Sequence, residues 1–442
     1  MVAPRLAAYR MTRRSVAAAL AACTASMLAA CTAQSRSGGD ESRREAGVPR
    51  GTISFGTWAA GADRELFESM LQKYMQATPT VTVEYIPADG GTSVFLEKLT
   101  TLIAAGTPPD TINTYYPWVA QFVTNNILLE QSSLIARDKY DLSDFFSGPL
   151  DAFKYGGKVY ALPHYAGPSV VYVNKTLLDR EGIKVPADWD WDEFTEISRR
   201  LTKRETTPTQ FALSSVNLNL NFFNAILWEF GGDVWNKDLT ETLVTLPGSL
   251  DALQYTADLY LKHRVIPAAE ESRGQGDMWL GGRIAFRLNA CRCDVPNWVN
   301  IKDFELSMAP LPKGRMGRIT RDGPNAIGII QGTKNLDAAW HFTKWFVSIE
   351  GQREFLMTRR SVPTRISIAN SSAWREALLP WEKIEVYEES MKRVRPMAYP
   401  IRWNEINKVF TDAANEVIRG QKSPKQAMEE AKPAMDALLR AR

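Results

Sequence analysis

The chain has 442 residues, too many for one ordinary hydrophobic core and suited to two domains. Apolar residues make up 45% and charged residues 23%, which excludes a disordered chain. The formal charge is +3, yet Arg5, Arg10, Arg13 and Arg14 are the only charged side chains in residues 1–30; without them the remainder carries −1, so the charge points to no nucleic-acid partner.

Arg13-Arg14 precedes an uncharged stretch of small residues, Ser15 to Ala30, too short and Ala-rich for a membrane span. A basic start followed by such a stretch reads as an export signal, residues 1–30. It ends in Leu28-Ala29-Ala30-Cys31, which resembles the lipobox of bacterial lipoproteins. That resemblance implies that Cys31 becomes the first mature residue and carries lipid, anchoring the protein to the outer face of the cytoplasmic membrane. Leu20-Ala21-Ala22-Cys23 is a second match but leaves little apolar stretch after the arginines. Thr12-Arg13-Arg14 partly matches a twin-arginine signal. Residues 31–50, rich in Ser, Gly and charge, read as a flexible tether.

From there the pattern alternates. Thr52 to Thr57 predicts a strand, and Asp63 is placed to cap a helix whose apolar face is Leu66, Phe67, Met70, Leu71, Tyr74 and Met75. Val81 to Ile86 is a strand, Ser93 to Ala105 a helix, and Thr111 to Asn113 a third strand. This is α/β winding around a mainly parallel sheet. Ligands in such sheets sit beyond the carboxyl ends of strands. Trp58 follows the first strand, and Tyr115-Tyr116-Pro117-Trp118 follows the third; they are expected to form a stacking wall or, alternatively, to cap the sheet as core. The 13 Trp of the chain suit a site that stacks on flat apolar faces, including those of sugars.

Two strand-like runs, Lys158 to Leu162 and Ser169 to Asn174, flank Pro163, Gly167 and Pro168, which fix a bend. This stretch is expected to cross between two lobes, with His164 and Tyr165 between the strands and facing a ligand. A second α/β winding follows: a helix from Asp192 to Leu201, a strand from Phe211 to Ser214, a helix from Asn221 to Phe230 with Trp228 at its edge, and a helix from Ser249 to Lys262. Arg283 to Arg287 and Phe304 to Met308 are strand-like. Arg321 to Pro324 reads as a second crossing into a strand at Asn325 to Gln331, and the break near Pro363 as a third. The tail is helical, with Ser423-Pro424 as a cap and Pro433 expected to kink the last helix.

Together these pieces resemble the family-1 extracellular solute-binding proteins, the sugar-type receptors of bacterial ABC importers. The resemblance runs from Ile53 to Leu439. It rests on Ile53-Ser54-Phe55-Gly56-Thr57-Trp58, Gly106-Thr107-Pro108-Pro109-Asp110, Gly157-Lys158-Val159-Tyr160-Ala161-Leu162-Pro163, Tyr172-Val173-Asn174-Lys175, Gly281-Gly282-Arg283-Ile284-Ala285-Phe286 and Ala309-Pro310-Leu311-Pro312, in that order. It implies a two-lobe periplasmic-binding fold of α/β class, with hinge crossings and a helical C-terminal tail. The expected lobes are residues 51–165 plus 325–362, and 166–324 plus 363–442. Trp58, Tyr116, Trp118, His164, Tyr165, Trp228, Arg321, Asn325 and Trp403 fall where family members place cleft residues. The implied partners are a sugar and the permease subunits of an ABC transporter, with no cofactor, the protein acting as a monomer.

Two features depart from the family pattern. Cys291-Arg292-Cys293 stands where many members have Gly or small polar residues. A disulfide between such near neighbours would be strained, and without a nearby His the pair makes a weak metal site, so the two are read as structural or free thiols. Arg283, Arg287 and Arg321 could bring cationic donors to the cleft, which keeps phosphorylated or acidic ligands open. No His-Glu-x-x-His pair, Gly-x-Ser-x-Gly turn or Walker loop is present, so a binding protein is expected, with a glycan-processing enzyme as the alternative.

Overall fold

The computed structural model describes residues 49–59, 61–206 and 209–441. The expected export signal, Cys31 and the tether up to residue 48 lie outside the described residues. Strands in chain order are β1 Gly51–Trp58, β2 Val81–Ala88, β3 Thr111–Tyr115, β4 Lys154–Tyr155, β5 Lys158–Val159, β6 Ala161–Tyr165, β7 Val170–Asn174, β8 Phe286–Ala290, β9 Leu306–Ala309 and β10 Asn325–Ile329. The larger sheet has the order β2-β1-β3-β10-β6. β1 runs parallel to β2 and β3, whereas β10 is antiparallel to β3 and β6. A strand from far down the chain therefore sits inside the first winding, which is why this lobe is discontinuous in sequence.

The helices Ala62–Ala77 and Leu336–Phe346 pack on this sheet. Phe55 of β1 meets Phe342 and Phe346 at ring distances of 5.4 and 5.8 Å, and Phe67 at 5.9 Å. The first helix starts after Gly61, whose φ of 54° favours glycine, so Asp63 lies in the first turn rather than at the cap.

The second sheet is small, with β7 antiparallel to both β8 and β9. Here the sequence reading needs correcting. The strand expected over Arg283 to Arg287 begins at Phe286, and Phe211 forms only an isolated bridge to Ile284. Helices supply most of the lobe. The helix Trp191–Leu201 shows why: Asp190 and Glu193 form a reciprocal capping box, with acidic residues in the first turn and Arg199 and Arg200 in the last. Its buried Trp191, Phe194, Ile197 and Leu201 recur at helical spacing. The last helix, Pro424–Arg440, runs on through Pro433. Packing of its buried Ala427, Met428, Ala431 and Met435 outweighs the lost backbone bond.

Two chain segments connect the two sheets, and a third passes beside them. Residues 166–169 lead from β6 to β7, residues 310–324 lead from β9 to β10, and Ser361 and Val362 lie beside the first. The Val362 N–H donates to the Ala166 carbonyl at 3.0 Å, and the Ser169 N–H to the Arg321 carbonyl at 3.2 Å. The Gly167 N–H donates to Asp322 Oδ1 at 2.7 Å, and the Ala166 N–H to Ser361 Oγ at 3.1 Å. The first segment is thus tied by hydrogen bonds to each of the other two.

Candidate functional site

Strand direction gathers the site. β1 and β3 are parallel, so Trp58 and Tyr115 emerge at the same edge. β10 runs the other way, so its first residue, Asn325, lies opposite Tyr115 in register. β6 is antiparallel to β10, so Tyr165 also pairs with Asn325. His164 and Tyr165 are therefore the last residues of β6, and the bend begins after them rather than before.

These side chains line a cavity of ≈ 190 Å³. The opposite wall comes from Asn221 and Phe222 at the start of the helix Leu220–Glu229, from Cys291 and Cys293, and from Arg321. Two glycines make room. A side chain at Gly167 would meet the Tyr165 hydroxyl at 2.6 Å, and one at Gly323 would meet Arg321 Nη1 at 2.2 Å. The Arg321 guanidinium lies over the Phe222 ring at 3.9 Å, a cation–π contact, and its buried Nε has no partner among the described residues.

His164 is held in one tautomer. Thr57 Oγ1 donates to the Trp58 carbonyl and accepts from Asn113 Nδ2 at 3.1 Å. Asn113 Oδ1 is then left to accept from His164 Nε2 at 3.1 Å. This leaves His164 Nδ1 as a buried acceptor without a partner among the described residues. Burial lowers the His164 pKa to about 3, so the ring is neutral. Phe346 and Phe355 hold the ring edge-on, at 4.9 and 4.8 Å. At the cavity rim Asp63 pairs with Arg360.

Trp58, Tyr115, His164, Tyr165, Arg321 and Asn325 therefore come together around one cavity. The other expected residues do not line it. Tyr116 is buried with its hydroxyl on Tyr399, and it lines a neighbouring cavity of ≈ 370 Å³. Trp118 is core, edge-on to both Trp58 and Tyr115, and so supports the wall from behind. Trp228 donates from Nε1 to Asp233 Oδ1 at 2.8 Å and carries Arg395 over its ring at 4.7 Å. Trp403 is the first residue of the helix Trp403–Ile418, 4% exposed and packed on Tyr399. Arg283 bonds Gln275, away from the cavity, and Arg287 faces Asp294 at 3.8 Å.

Cys291 and Cys293 are joined in a disulfide, which corrects their reading as thiols. The 3₁₀ turn Arg292–Trp298 brings their Cα atoms to 5.2 Å, within the normal span of a disulfide. Asn113, Asn221 and Phe222 escaped the sequence reading. Asn113 carried one signal, a carboxamide inside a short strand. Asp110 accepts from Ser54 and Thr333 immediately before β3. Among the described residues no cluster of His, Cys, Asp and Glu could hold a metal ion, and no helix is long and apolar enough to cross a membrane.

Comparison with known proteins adds to this geometry. A protein of Brucella abortus named as a binding protein is 24% identical over 386 residues, covering 85% of this chain and 90% of that one. A maltotriose-binding protein of Pyrococcus abyssi is 25% identical over 304 residues, 64% of this chain and 60% of that one. The structure of an ABC substrate-binding protein of Listeria monocytogenes, in complex with cycloalternan, superposes with a TM-score of 0.80 at 22% identity, covering 89% of this chain and 100% of the other. A Mycobacterium tuberculosis protein in complex with glycerophosphocholine gives a TM-score of 0.78 at 18% identity, covering 88% and 98%. The family model for bacterial extracellular solute-binding proteins matches residues 60–353, and with its two lobes and the cavity between them the chain belongs to that family.

Proposed function

We propose that this protein captures a carbohydrate, an oligosaccharide or sugar derivative, between its lobes and delivers it to an ABC import permease. The observation that carries the reading is the pairing of an aromatic wall, Trp58, Tyr115 and Tyr165, with the polar groups of His164, Asn221, Arg321 and Asn325 in one interlobe cavity. Aromatic faces stack on sugar C–H faces, and the polar groups hydrogen-bond hydroxyls. Binding is non-covalent, and closure of the lobes excludes water. The cycloalternan complex of the Listeria neighbour and the name of the Pyrococcus relative support this class.

The lobes of this reading are residues 51–165 plus 325–362, and 166–324 plus 363–442. Residues 1–30 act as a lipoprotein signal, and lipid on Cys31 holds a monomer at the outer face of the cytoplasmic membrane. Mass spectrometry of the mature N-terminus checks the anchor; an unmodified N-terminal residue other than Cys31 refutes it.

A second reading has one observation in its favour. The Arg321 guanidinium reaches the cavity with its Nε unpartnered, as a phosphodiester site would require. The glycerophosphocholine complex of the Mycobacterium neighbour has the same fold. A thermal-shift screen separates the two, because the cognate ligand raises Tm by mass action. Stabilisation by glycans alone supports the first reading; stabilisation by glycerophosphodiesters alone replaces it with the second.

A further inference from the structure

The Cys291–Cys293 disulfide faces open space. Both residues line the interlobe cavity of ≈ 190 Å³ and also a neighbouring groove of ≈ 820 Å³. Cys291 is 5% exposed, whereas Cys293 is only partly buried, so Cys293 carries the sulfur that a small molecule reaches first.

The fold does not rely on this bond. It spans a single intervening residue, and the entropy that a cross-link removes from the unfolded chain grows with the length of the loop it closes. That intervening residue, Arg292, already holds the segment. Its buried guanidinium binds Glu382 and the carbonyls of Ser361 and Ala377. The segment therefore stays in place when the disulfide opens.

The charges around the sulfurs favour opening. Asp63 is paired with Arg360, Asp294 faces Arg287 at 3.8 Å, and Lys408 is bonded to Asp412 at 2.6 Å. Arg321 forms no ion pair among the described residues; it lies over the Phe222 ring with its Nε unpartnered. Asp322 beside it in sequence accepts from the Gly167 N–H and borders a different cavity. The Arg321 charge is thus left to meet an anion formed in the interlobe cavity. A cation near a thiol lowers its pKa, and a thiol of lower pKa leaves a disulfide faster.

We propose that this disulfide is a thiol-exchange site, opened in the native protein by a small dithiol that enters the cavity. The incoming thiol loses its proton to water, and its thiolate attacks Cys293 Sγ. The S–S bond to Cys291 breaks, a bond from Cys293 to the small molecule forms, and the electron pair leaves on Cys291 Sγ as a thiolate facing Arg321. The second thiol of the dithiol loses its proton and displaces Cys293, which takes up a proton. The protein gains two electrons, and the small molecule departs as a disulfide. Arg321 is a positioning residue in this step. The exchange changes the wall of the ligand cavity, because the new thiolate competes with a ligand of any class for Arg321.

The test is reduction of the full chain by dithiothreitol without denaturant, trapped with N-ethylmaleimide and read by peptide mass spectrometry. Cys291 and Cys293 should both be labelled while near-ultraviolet circular dichroism keeps the native signal. Arg321→Gln should slow the reduction about threefold or more, and Arg321→Lys, which keeps a cation, should restore most of the rate. In single variants given oxidised glutathione, the Cys293 left by Cys291→Ser should take up glutathione about tenfold faster than the Cys291 left by Cys293→Ser. Reduction that needs denaturant, or that destroys the native signal, overturns the site; this measurement uses the parent alone and decides even if a variant does not fold. An unchanged rate in Arg321→Gln overturns the role of Arg321, and faster uptake at Cys291 overturns Cys293 as the sulfur attacked.

Discussion

The hydroxyls of Tyr116 and Tyr399 lie 2.8 Å apart, their rings edge-on at 4.8 Å. Tyr116 follows β3 of the larger sheet, and Tyr399 precedes the helix Trp403–Ile418, which packs on the helix Leu220–Glu229. Tyr399 also donates to Asn221 Oδ1 at 3.0 Å, and Asn221 Nδ2 donates to the Tyr115 hydroxyl. With Tyr399 donating to Asn221, Tyr116 must donate to Tyr399. Four side chains thus form one directed chain of hydrogen bonds that joins the lobes at the back of the cavity.

Tyr399→Phe keeps the ring and its packing but removes the oxygen that both accepts and donates in this chain. Of the two lost bonds only the one from Tyr116 joins the lobes, and at about 1 kcal/mol net its loss should cost the closed arrangement about three- to tenfold relative to open ones. Small-angle scattering should show a larger radius of gyration, and glycan Kd should rise by a similar factor. An unchanged radius and Kd would show that the chain does not govern closure.

Trp58 and Trp403 were alike as sequence signals but should behave differently. Trp58 is half-buried at the cavity edge. Trp58→Ala should weaken glycan binding at least tenfold, about 1.4 kcal/mol, with little loss of stability. Trp403→Ala empties a core position and should cost about 3–5 kcal/mol of stability. Calorimetry and urea denaturation on both variants decide. A stable Trp403→Ala protein with lost binding would return Trp403 to the site.

Part of the site was legible in the sequence, and the rest was not, for physical reasons. Trp58, Tyr115 and Tyr165 stand at strand ends, and a strand end is a local signal. Whether an aromatic at such an end turns to the cavity or to the core depends on what packs behind it. Trp118 meets Phe95, and Tyr399, on which Trp403 packs, meets Tyr116; these pairs lie far apart in the chain and are not set by local spacing. Asn221 is distant in sequence from Tyr115 and meets it only once the lobes are arranged. The disulfide was misread because the two-residue separation was judged without the turn that shortens its span. The alternation that revealed the larger sheet is weaker in the second lobe, where β7, β8 and β9 are short and antiparallel.

Between the two cysteines, Arg292 points inward and is fully buried with Glu382, at 2.7 and 3.0 Å. It also donates to the carbonyls of Ser361 at 2.8 Å and Ala377 at 2.6 Å, with Trp374 stacked at 4.9 Å. The arginine therefore fixes the disulfide-bonded segment to Ser361, which lies beside the crossing at residues 166–169. Arg292→Met leaves Glu382 buried and uncompensated and should cost about 3–5 kcal/mol. Denaturant unfolding measures this. The double variant Arg292→Met with Glu382→Leu should recover most of the loss, since no charge is then stranded; a double variant as unstable as the single would assign the loss to packing instead.

Asp322 and His164 give the protein two opposed pH dependences. Burial raises the Asp322 carboxyl to about 6, against the opposing effects of the Gly167 N–H, Arg321 and the Gly323 N–H. An unfolded Asp titrates near about 3.9, so between about pH 4 and 6 the native state binds a proton that the unfolded chain has lost. Stability from this group therefore falls as pH rises, by about 3 kcal/mol over the window. His164 is the reverse. Its native value of about 3 lies below the unfolded value near 6.5, so between them the unfolded chain binds the extra proton and stability rises with pH. The two slopes largely cancel in the intact protein from about pH 4 to 6. Asp322→Asn should make the dependence of unfolding free energy on pH more positive than in the parent, and His164→Gln should make it more negative. Urea denaturation at pH 4, 5, 6 and 7 reads both slopes. Changes of the same sign in the two variants would refute the assignment, because other titrating carboxylates contribute equally to each background.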